Sequence, residues 1–404
     1  MFDNLPNVSA QSISVKVKPS IEKIIRKEHP WLFDGGITKQ SKEGNAGDLA
    51  IIYDKKNKFL AVGLYDPFSP IRIKLLQFKK SARINNEWFH QRITAAYEKR
   101  QSLLATDTNS YRLVHGENDG LPSLVADVYA DVLVVKLYSL IWLPYLSDIF
   151  KNLLEISKCK TLVLRLSRNV QQEKDALQGL EEGQVLYGDL ENEVVIFKEH
   201  GLLFSANVIH GHKTGYFLDH RHNRKHIGTL SKGKSVLDIF AYAGGFSVHA
   251  LAGGAKEVVS LDISAQALEM AKDNVQLNKL EANHKVLAGD AFEKMEDLRR
   301  QNKKFDIVVV DPPSFAKRDS ERDRAIRSYG QLTRLAIALV AKGGLLVMAS
   351  CSSRVSADEF FRTVTYELER SNKPFEEINR TFHDVDHPIG FPEGAYLKCG
   401  YFSM

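Results

Sequence analysis

The feature that most limits what this chain can fold into is a run of strand-like and helix-like segments that alternate from about residue 199 onward. Strand-like Ser235 to Phe240 leads through a glycine turn to a helix over Phe246 to Leu251. Glu257 to Leu261 leads to Ala265 to Asn278, His284 to Gly289 leads to Ala291 to Arg300, and Asp306 to Val310 leads to a helix near Arg322 to Val340. A strand over Leu345 to Ala349 and a helix over Ala357 to Arg370 follow, the helix opened by the capping box Ser356-x-x-Glu359. Strands separated by helices must cross over between neighbours, which gives a parallel sheet covered on both faces, a doubly wound, Rossmann-like α/β domain. The β-like segments Phe375 to Thr381 and Tyr396 to Ser403 add an antiparallel edge.

In such sheets ligands lie outside the carboxyl ends of the strands, so those ends carry the chemistry. The first strand runs into Asp238-Ile-Phe-Ala-Tyr-Ala-Gly-Gly-Phe246, a turn where a ligand can approach the backbone at a helix N-terminus. Ala241 and Ala243 stand where a dinucleotide-binding turn favours glycine, which weakens a nicotinamide reading. Asp262, 24 residues after Asp238, is placed for ribose hydroxyls, and Asp290 for the exocyclic amine of an adenine. Each acid alone also reads as a helix N-cap; three at successive strand ends beside a glycine turn favour a nucleoside. The fourth strand ends in Asp311-Pro-Pro-Ser-Phe315, whose prolines hold Asp311 at the sheet rim. The fifth ends in Ser350-Cys-Ser-Ser353, which sets Cys351 facing the same crevice, whereas Cys159 and Cys399 read as small buried hydrophobes.

Two blocks precede this domain. Residues 1–80 hold short β-like runs (Ile13 to Lys18, Asp48 to Tyr53, Phe59 to Tyr65, Ile71 to Gln77) and one short helix over Ile21 to Lys27, a small, mostly β domain. A polar, basic linker, Lys79 to Asn86, leads to a small α+β domain at 87–198, with a helix over Glu87 to Leu104, strands over Ser123 to Val128, Val132 to Tyr138 and Thr161 to Leu166, and a helix over Leu146 to Ile156. The third domain is then 199–404. The formal charge of +5 is uneven: residues 1–100 hold 18 Lys+Arg against 10 Asp+Glu. That surplus points to a polyanion, nucleic acid first, or to a solvated basic face. Three cysteines without CxxC spacing argue against a disulfide framework and a zinc site, so no metal is expected. No apolar run is long enough to span a bilayer and no secretion leader is apparent, so a cytoplasmic protein without a membrane partner is expected.

The successive motifs Asp238 to Gly245, Asp262, Asp290 and Asp311-Pro-Pro resemble those of class I S-adenosylmethionine-dependent methyltransferases. More closely, nearly the whole chain is similar to the bacterial RlmI-like family, which methylates cytosine C5 in 23S ribosomal RNA. His29-Pro-Trp-Leu-Phe33 with Gly47-Asp48 resembles its PUA RNA-binding module, and Tyr111 to Pro122 the opening of its middle domain. His212 to Asp219 with Arg221 and Arg224 resembles the segment before its catalytic fold, and Asp386-His-Pro388, Pro392-Glu393 and Tyr396-Leu-Lys398 its C-terminal signature.

The resemblance implies S-adenosyl-L-methionine as cofactor, held by Asp238, Phe240, Ala241, Tyr242, Ala243, Gly244, Gly245, Asp262, Ile263, Asp290, Ala291, Asp311 and Pro312, with Thr214, Gly215, Phe217, Asp219 and Arg221. It implies 23S rRNA or a large-subunit particle as partner, with a homodimer as a further expectation. Cysteine addition at C6 makes C5 of a cytosine nucleophilic, which gives Cys351 the role of nucleophile and Asp311 that of proton donor to N3. Enzymes of this chemistry often carry a second cysteine after Asp-Pro-Pro; Ser314 stands there, so the base that removes the C5 proton is unassigned. The basic residues at 212–224 suit phosphate or methionine-carboxylate contact, or form a charged helix face. Two other readings stay open: methylation of a purine nitrogen, compatible with Phe315 after Asp-Pro-Pro-Ser, and a non-catalytic RNA-binding assembly factor with a methyltransferase fold.

Overall fold

The computed structural model describes residue 2 and residues 5–404. The chain divides into two compact units: Met1–Lys198 with Ala206–Leu218 and Val385–Phe391, and Glu199–Ser205 with Asp219–Asp384 and Pro392–Met404. Among the described residues no helix is long and apolar enough to cross a membrane.

The first unit holds two sheets. One has six strands in the order Trp31–Leu32, Ile73–Phe78, Phe59–Tyr65, Leu49–Tyr53, Ser12–Val17, Ile37–Gln40, with only the Ser12–Val17 and Leu49–Tyr53 pair parallel. The other has five, in the order Val185–Tyr187, Thr161–Leu166, Val132–Leu137, Leu124–Tyr129, Ser110–His115. Leu64 and Leu76 of the first sheet share one apolar core with Trp88, Phe89 and Leu124 around the second. The single helix expected over 87–104 is broken into Asn86–Glu98 and Gln101–Leu104. The break frees Arg100 to turn inward, where its buried guanidinium makes two hydrogen bonds to the Asp119 carboxylate, at 3.1 and 2.6 Å. Strand Ser110–His115 was not expected, because Arg112 interrupts its apolar pattern; that arginine is neutralised by a bidentate pair with Asp127, at 2.8 and 2.9 Å.

The second unit carries the parallel sheet. We label its elements β1 (Ser235–Ile239), α1 (Gly245–Ala252), β2 (Glu257–Asp262), α2 (Ala265–Leu277), β3 (His284–Ala288), α3 (Ala291–Arg300), β4 (Phe305–Val310), α4 (Arg322–Leu339), β5 (Val340–Ser350), α5 (Ala357–Arg370), β6 (Glu376–Thr381) and β7 (Lys398–Ser403). The strand order is β3-β2-β1-β4-β5-β7-β6, with the first five parallel and β7 antiparallel to both its neighbours. The central strands read as near-continuous apolar runs because helices cover both faces: every residue of β1 is buried, and Val308, Val309 and Val310 of β4 are fully so. The edge strand β6 is exposed along almost its whole length and carries Glu376, Glu377 and Arg380, charges that oppose pairing of its open side with another chain. β1 lies between β2 and β4, so the order reverses there and a crevice opens at the carboxyl ends of these strands.

Candidate active site

The turn after β1 is built from residues that resist regular structure. Phe240, Tyr242 and Gly244 all take positive φ, at 64°, 49° and 73°. For the two aromatic residues this costs on the order of 1–3 kcal/mol each. The surroundings impose it: Ala241 N donates to Leu261 O (3.0 Å), Tyr242 N to Asp262 Oδ2 (2.9 Å), and Asn274 Nδ2 to the Ala243 carbonyl (2.8 Å). Gly244 is required twice over, since a Cβ there would stand 2.8 Å from Ala271 Cβ. Gly245 then begins α1.

Asp238 sits beneath this turn with no exposure. Its Oδ2 accepts from Ser247 N (3.1 Å) and Ser247 Oγ (2.7 Å), while Oδ1 is buried with no hydrogen-bond partner. Burial pushes the carboxyl up to about 7, against the Ser247 bonds and with help from Asp311 and Asp262. A buried carboxylate oxygen left bare is costly; a cationic group arriving beside it would remove that cost. Asp262 ends β2 and accepts from Tyr242 N and Ser264 N, one bond per oxygen, which leaves acceptor capacity on both. Beside it Ile263 is 72% exposed, an apolar surface at the crevice. Asp290 is the N-cap of α3, its Oδ1 accepting from Phe292 N (2.9 Å) and Glu293 N (3.1 Å), with Ala291 buried behind it. The capping role and a free Oδ2 therefore coexist.

The ends of β4 and β5 meet. Cys351 is partly exposed, whereas Cys159 and Cys399 are buried. Its Sγ donates to the Pro312 carbonyl at 3.7 Å, which joins the Asp-Pro-Pro rim to the thiol. Lys398 of β7 is buried nearby and donates to the carbonyls of Ser352, Val355 (2.6 Å) and Tyr396 (3.1 Å). Burial lowers its pKa to about 8, with Cys351 opposing the shift. A cation fixed beside a thiol stabilises the thiolate. The sequence presented Lys398 only as part of a C-terminal string; two of its partners, Ser352 and Val355, lie more than 40 residues away in the loop after β5. Ser314 Oγ donates to the Ala316 carbonyl (3.1 Å), and the Phe315 ring packs on Tyr329, centroids 5.3 Å apart.

The preceding segment divides between the units. Thr214 Oγ1 donates to Asp127 Oδ2 (2.6 Å) and meets Tyr129 Oη at 2.9 Å, so its hydroxyl is engaged inside the first unit. Gly215, at φ 142°, leaves room for Ala206, and Phe217 lies under Lys213 at 5.7 Å. In the second unit Asp219 Oδ2 accepts from Tyr396 Oη (2.9 Å). Arg221 and Arg224 are buried rather than exposed as a charged face. Arg224 pairs with Glu199 through bonds of 2.7 and 2.6 Å, and Arg221 lies 3.6 Å from both Glu199 Oε2 and Asp384 Oδ2. Burial opposes ionisation of Glu199, yet the Arg224 guanidinium and His249 hold its carboxyl well below the usual carboxylate range. The charge on these arginines is thus balanced within the fold.

The S-adenosylmethionine-dependent methyltransferase family profile matches residues 112–392, and that of the PUA-like domain residues 15–78. A ribosomal RNA large subunit methyltransferase of Deinococcus radiodurans is 42% identical over 405 residues, 99% of each chain. The ribosomal RNA large subunit methyltransferase I of Escherichia coli is 34% identical over 391 residues, covering 96% of this chain and 98% of that one. Among solved structures, an S-adenosylmethionine-dependent methyltransferase from Streptococcus mutans shares the fold with a TM-score of 0.81 at 20% identity, over 97% of this chain and 100% of that one. A methyltransferase solved as a complex with SAH gives a TM-score of 0.82 at 21% identity, over 98% and 100%.

Proposed function

This chain belongs to the S-adenosylmethionine-dependent methyltransferase family, in the RlmI-like group with an N-terminal PUA-like domain, and from that premise we propose that it methylates C5 of a cytosine in large-subunit ribosomal RNA through a covalent adduct of Cys351. The residues present fit the cofactor. The bare Oδ1 of Asp238 suits its ammonium group, the turn 240–245 admits a ligand against backbone, Asp262 and Asp290 retain acceptor oxygens, and Ile263 offers an apolar face to a purine. Ala291, Pro312 and Asp311 complete this proposed set at the crevice wall. When bound, the cofactor supplies an electrophilic methyl group.

The observation that carries the cytosine reading is the Cys351 thiol, partly exposed and 3.7 Å from the carbonyl of Pro312. Cytosine C5 is a poor nucleophile until a sulfur adds to C6, and this thiol has both access and a neighbouring buried lysine to favour the thiolate. Asp311 at the rim is the proton donor to N3 in this reading. A base drawn from a stem must leave its stack to reach the crevice. Phe315, the residue that would favour a purine, instead packs against Tyr329.

Cys351→Ala should lower methylation by roughly three orders of magnitude or more, since removing a nucleophile costs that or more where its role is covalent. Full-length protein incubated with RNA carrying 5-fluorocytidine should form a denaturant-stable complex that the variant does not. Methylation by the variant at the wild-type rate would sink the adduct and return the purine reading. Calorimetric absence of S-adenosylmethionine binding would instead favour a non-catalytic assembly factor.

A further inference from the structure

The second unit contains a buried histidine that the adduct chemistry above leaves without a task. His220 precedes helix Arg221–Leu230, and its side chain is 5% exposed. Its Nε2 has no hydrogen-bond partner, yet stands 3.3 Å from Oδ1 of Asp311. The other ring nitrogen, Nδ1, meets the Asn223 amide at 3.0 Å, and the far side of that amide meets the Thr381 hydroxyl at 2.6 Å and the Tyr401 hydroxyl at 2.7 Å. The ring rests against Phe246 at the start of α1, centroids 5.6 Å apart.

Two properties of this chain of contacts matter. A buried nitrogen in ion-pair range of a carboxylate, outside good hydrogen-bond geometry, is aimed at the reacting end of the site. The Asn223 amide can also serve either protonation state of the ring. With neutral His220, Nδ2 donates to Nδ1 and the two hydroxyls donate to Oδ1. With the amide turned over, Oδ1 accepts from Nδ1–H, the hydroxyls, which donate or accept, receive Nδ2–H, and Nε2 holds a proton in the imidazolium or gives it up in the neutral Nδ1–H ring. His220 therefore gains or loses a proton without stranding a buried polar group.

We propose that His220 is the proton reservoir of Asp311, a positioning residue that sets the proton count of the pair during attack on the pyrimidine. The inference rests on the cytosine-C5 reading above. As the Cys351 sulfur bonds to C6, the C5=C6 electron pair moves to C4–C5 and the N3=C4 pair moves onto N3. The Nε2 proton of the His220 imidazolium passes through the Asp311 carboxylate to N3, leaving neutral imidazole, the carboxylate and N3–H. After C5 has taken the methyl group, loss of the C5 proton to a base re-forms C5=C6 and expels the thiolate, and the N3 proton returns by the same route. The charged groups around His220 agree with this. Burial opposes the imidazolium, but Asp311 and Asp219 outweigh it and raise the ring's pKa, with Arg224 opposing them.

The test is the pH profile of single-turnover methylation by the full-length enzyme on its rRNA. The wild type should lose rate on the alkaline side as the pair gives up its proton. His220→Gln should be roughly 10- to 100-fold slower and lack that limb, while keeping S-adenosylmethionine affinity and melting temperature. Asn223→Asp, which sets a carboxylate against Nδ1, should move the limb to higher pH; it decides the matter if His220→Gln does not fold. A His220→Gln enzyme with the wild-type rate and profile, or a limb that Asn223→Asp does not move, overturns the proposal. Trapping by 5-fluorocytidine RNA keeps the readings apart: a complex that forms while the limb ignores both variants defeats the reservoir alone, and no complex defeats the cytosine reading beneath it.

Discussion

At the scale of the residue, the site is defined by groups whose needs the fold leaves unmet. Asp238 is the plainest case: its carboxyl is held near 7 by burial, with one oxygen bare. An unfolded aspartate ionises near pH 4, so between about pH 4 and 7 the folded state holds a proton that the unfolded state has released. Stability of the unliganded protein from this group therefore falls as pH rises through that window, and is flat above it. Asp238→Asn should raise the melting temperature at pH 8 relative to wild type, read by calorimetry without cofactor. The same variant should bind S-adenosylmethionine about 10- to 100-fold more weakly, since a charge-assisted bond is worth about 1.5–3 kcal/mol. A variant with unchanged affinity would remove Asp238 from the cofactor set. Asp238, Asp262, Asp290, Asp311 and Cys351 could be singled out from the sequence because each follows an apolar run that reads as a buried strand. Lys398 and the work of His220 could not, because their partners come from distant segments; Asn223 and Tyr401 are 178 residues apart.

At the scale of the element, local chemistry set most boundaries. The capping box anticipated at Ser356 is formed: Glu359 N donates to Ser356 Oγ at 3.3 Å, and Ser356 N donates to Glu359 Oε2 at 3.0 Å. Ser356→Ala should destabilise the protein by about 1 kcal/mol, measured as a lower urea midpoint with unchanged slope. No change in midpoint would mean that Arg322, which also pairs with Glu359, holds the helix start unaided. Elements went unrecognised where a buried charge broke the pattern. Arg112 hid strand Ser110–His115, and Arg100 ended a helix that periodicity alone would have continued. β5 begins at Val340, ahead of the Leu345 expected, because Val340 pairs with Phe305 of β4; Gly343 and Gly344 lie in an irregularity before pairing resumes at Ile307 and Leu345.

At the scale of the whole molecule, the charge surplus of residues 1–100 makes an RNA-holding role for the first sheet testable. Deleting residues 1–80 is a poor probe of that role, since Leu64 and Leu76 belong to the core around Trp88 and Phe89. Charge substitution is cleaner. Lys18, Lys23, Lys27 and Lys39 are exposed, and replacing them with glutamine should weaken rRNA binding and flatten its salt dependence by about one counterion for each phosphate no longer neutralised. An unchanged slope of affinity against salt would leave the first sheet with a structural task only.

The amino-acid sequence by itself determined the order of strands and helices from Ser235 onward and the identity of the groups at the strand ends. It could do so because parallel strands buried on both faces must be apolar throughout, and their ends are marked by the residues that stop them. Only the tertiary structure decided which of those groups are neutralised and which remain available. Arg221 and Arg224 are balanced by Glu199 and Asp384, Asp238 keeps a bare oxygen, and His220 stands in ion-pair range of Asp311. The availability of a charge depends on its partners and on the water around it, and both are fixed only when distant segments pack together.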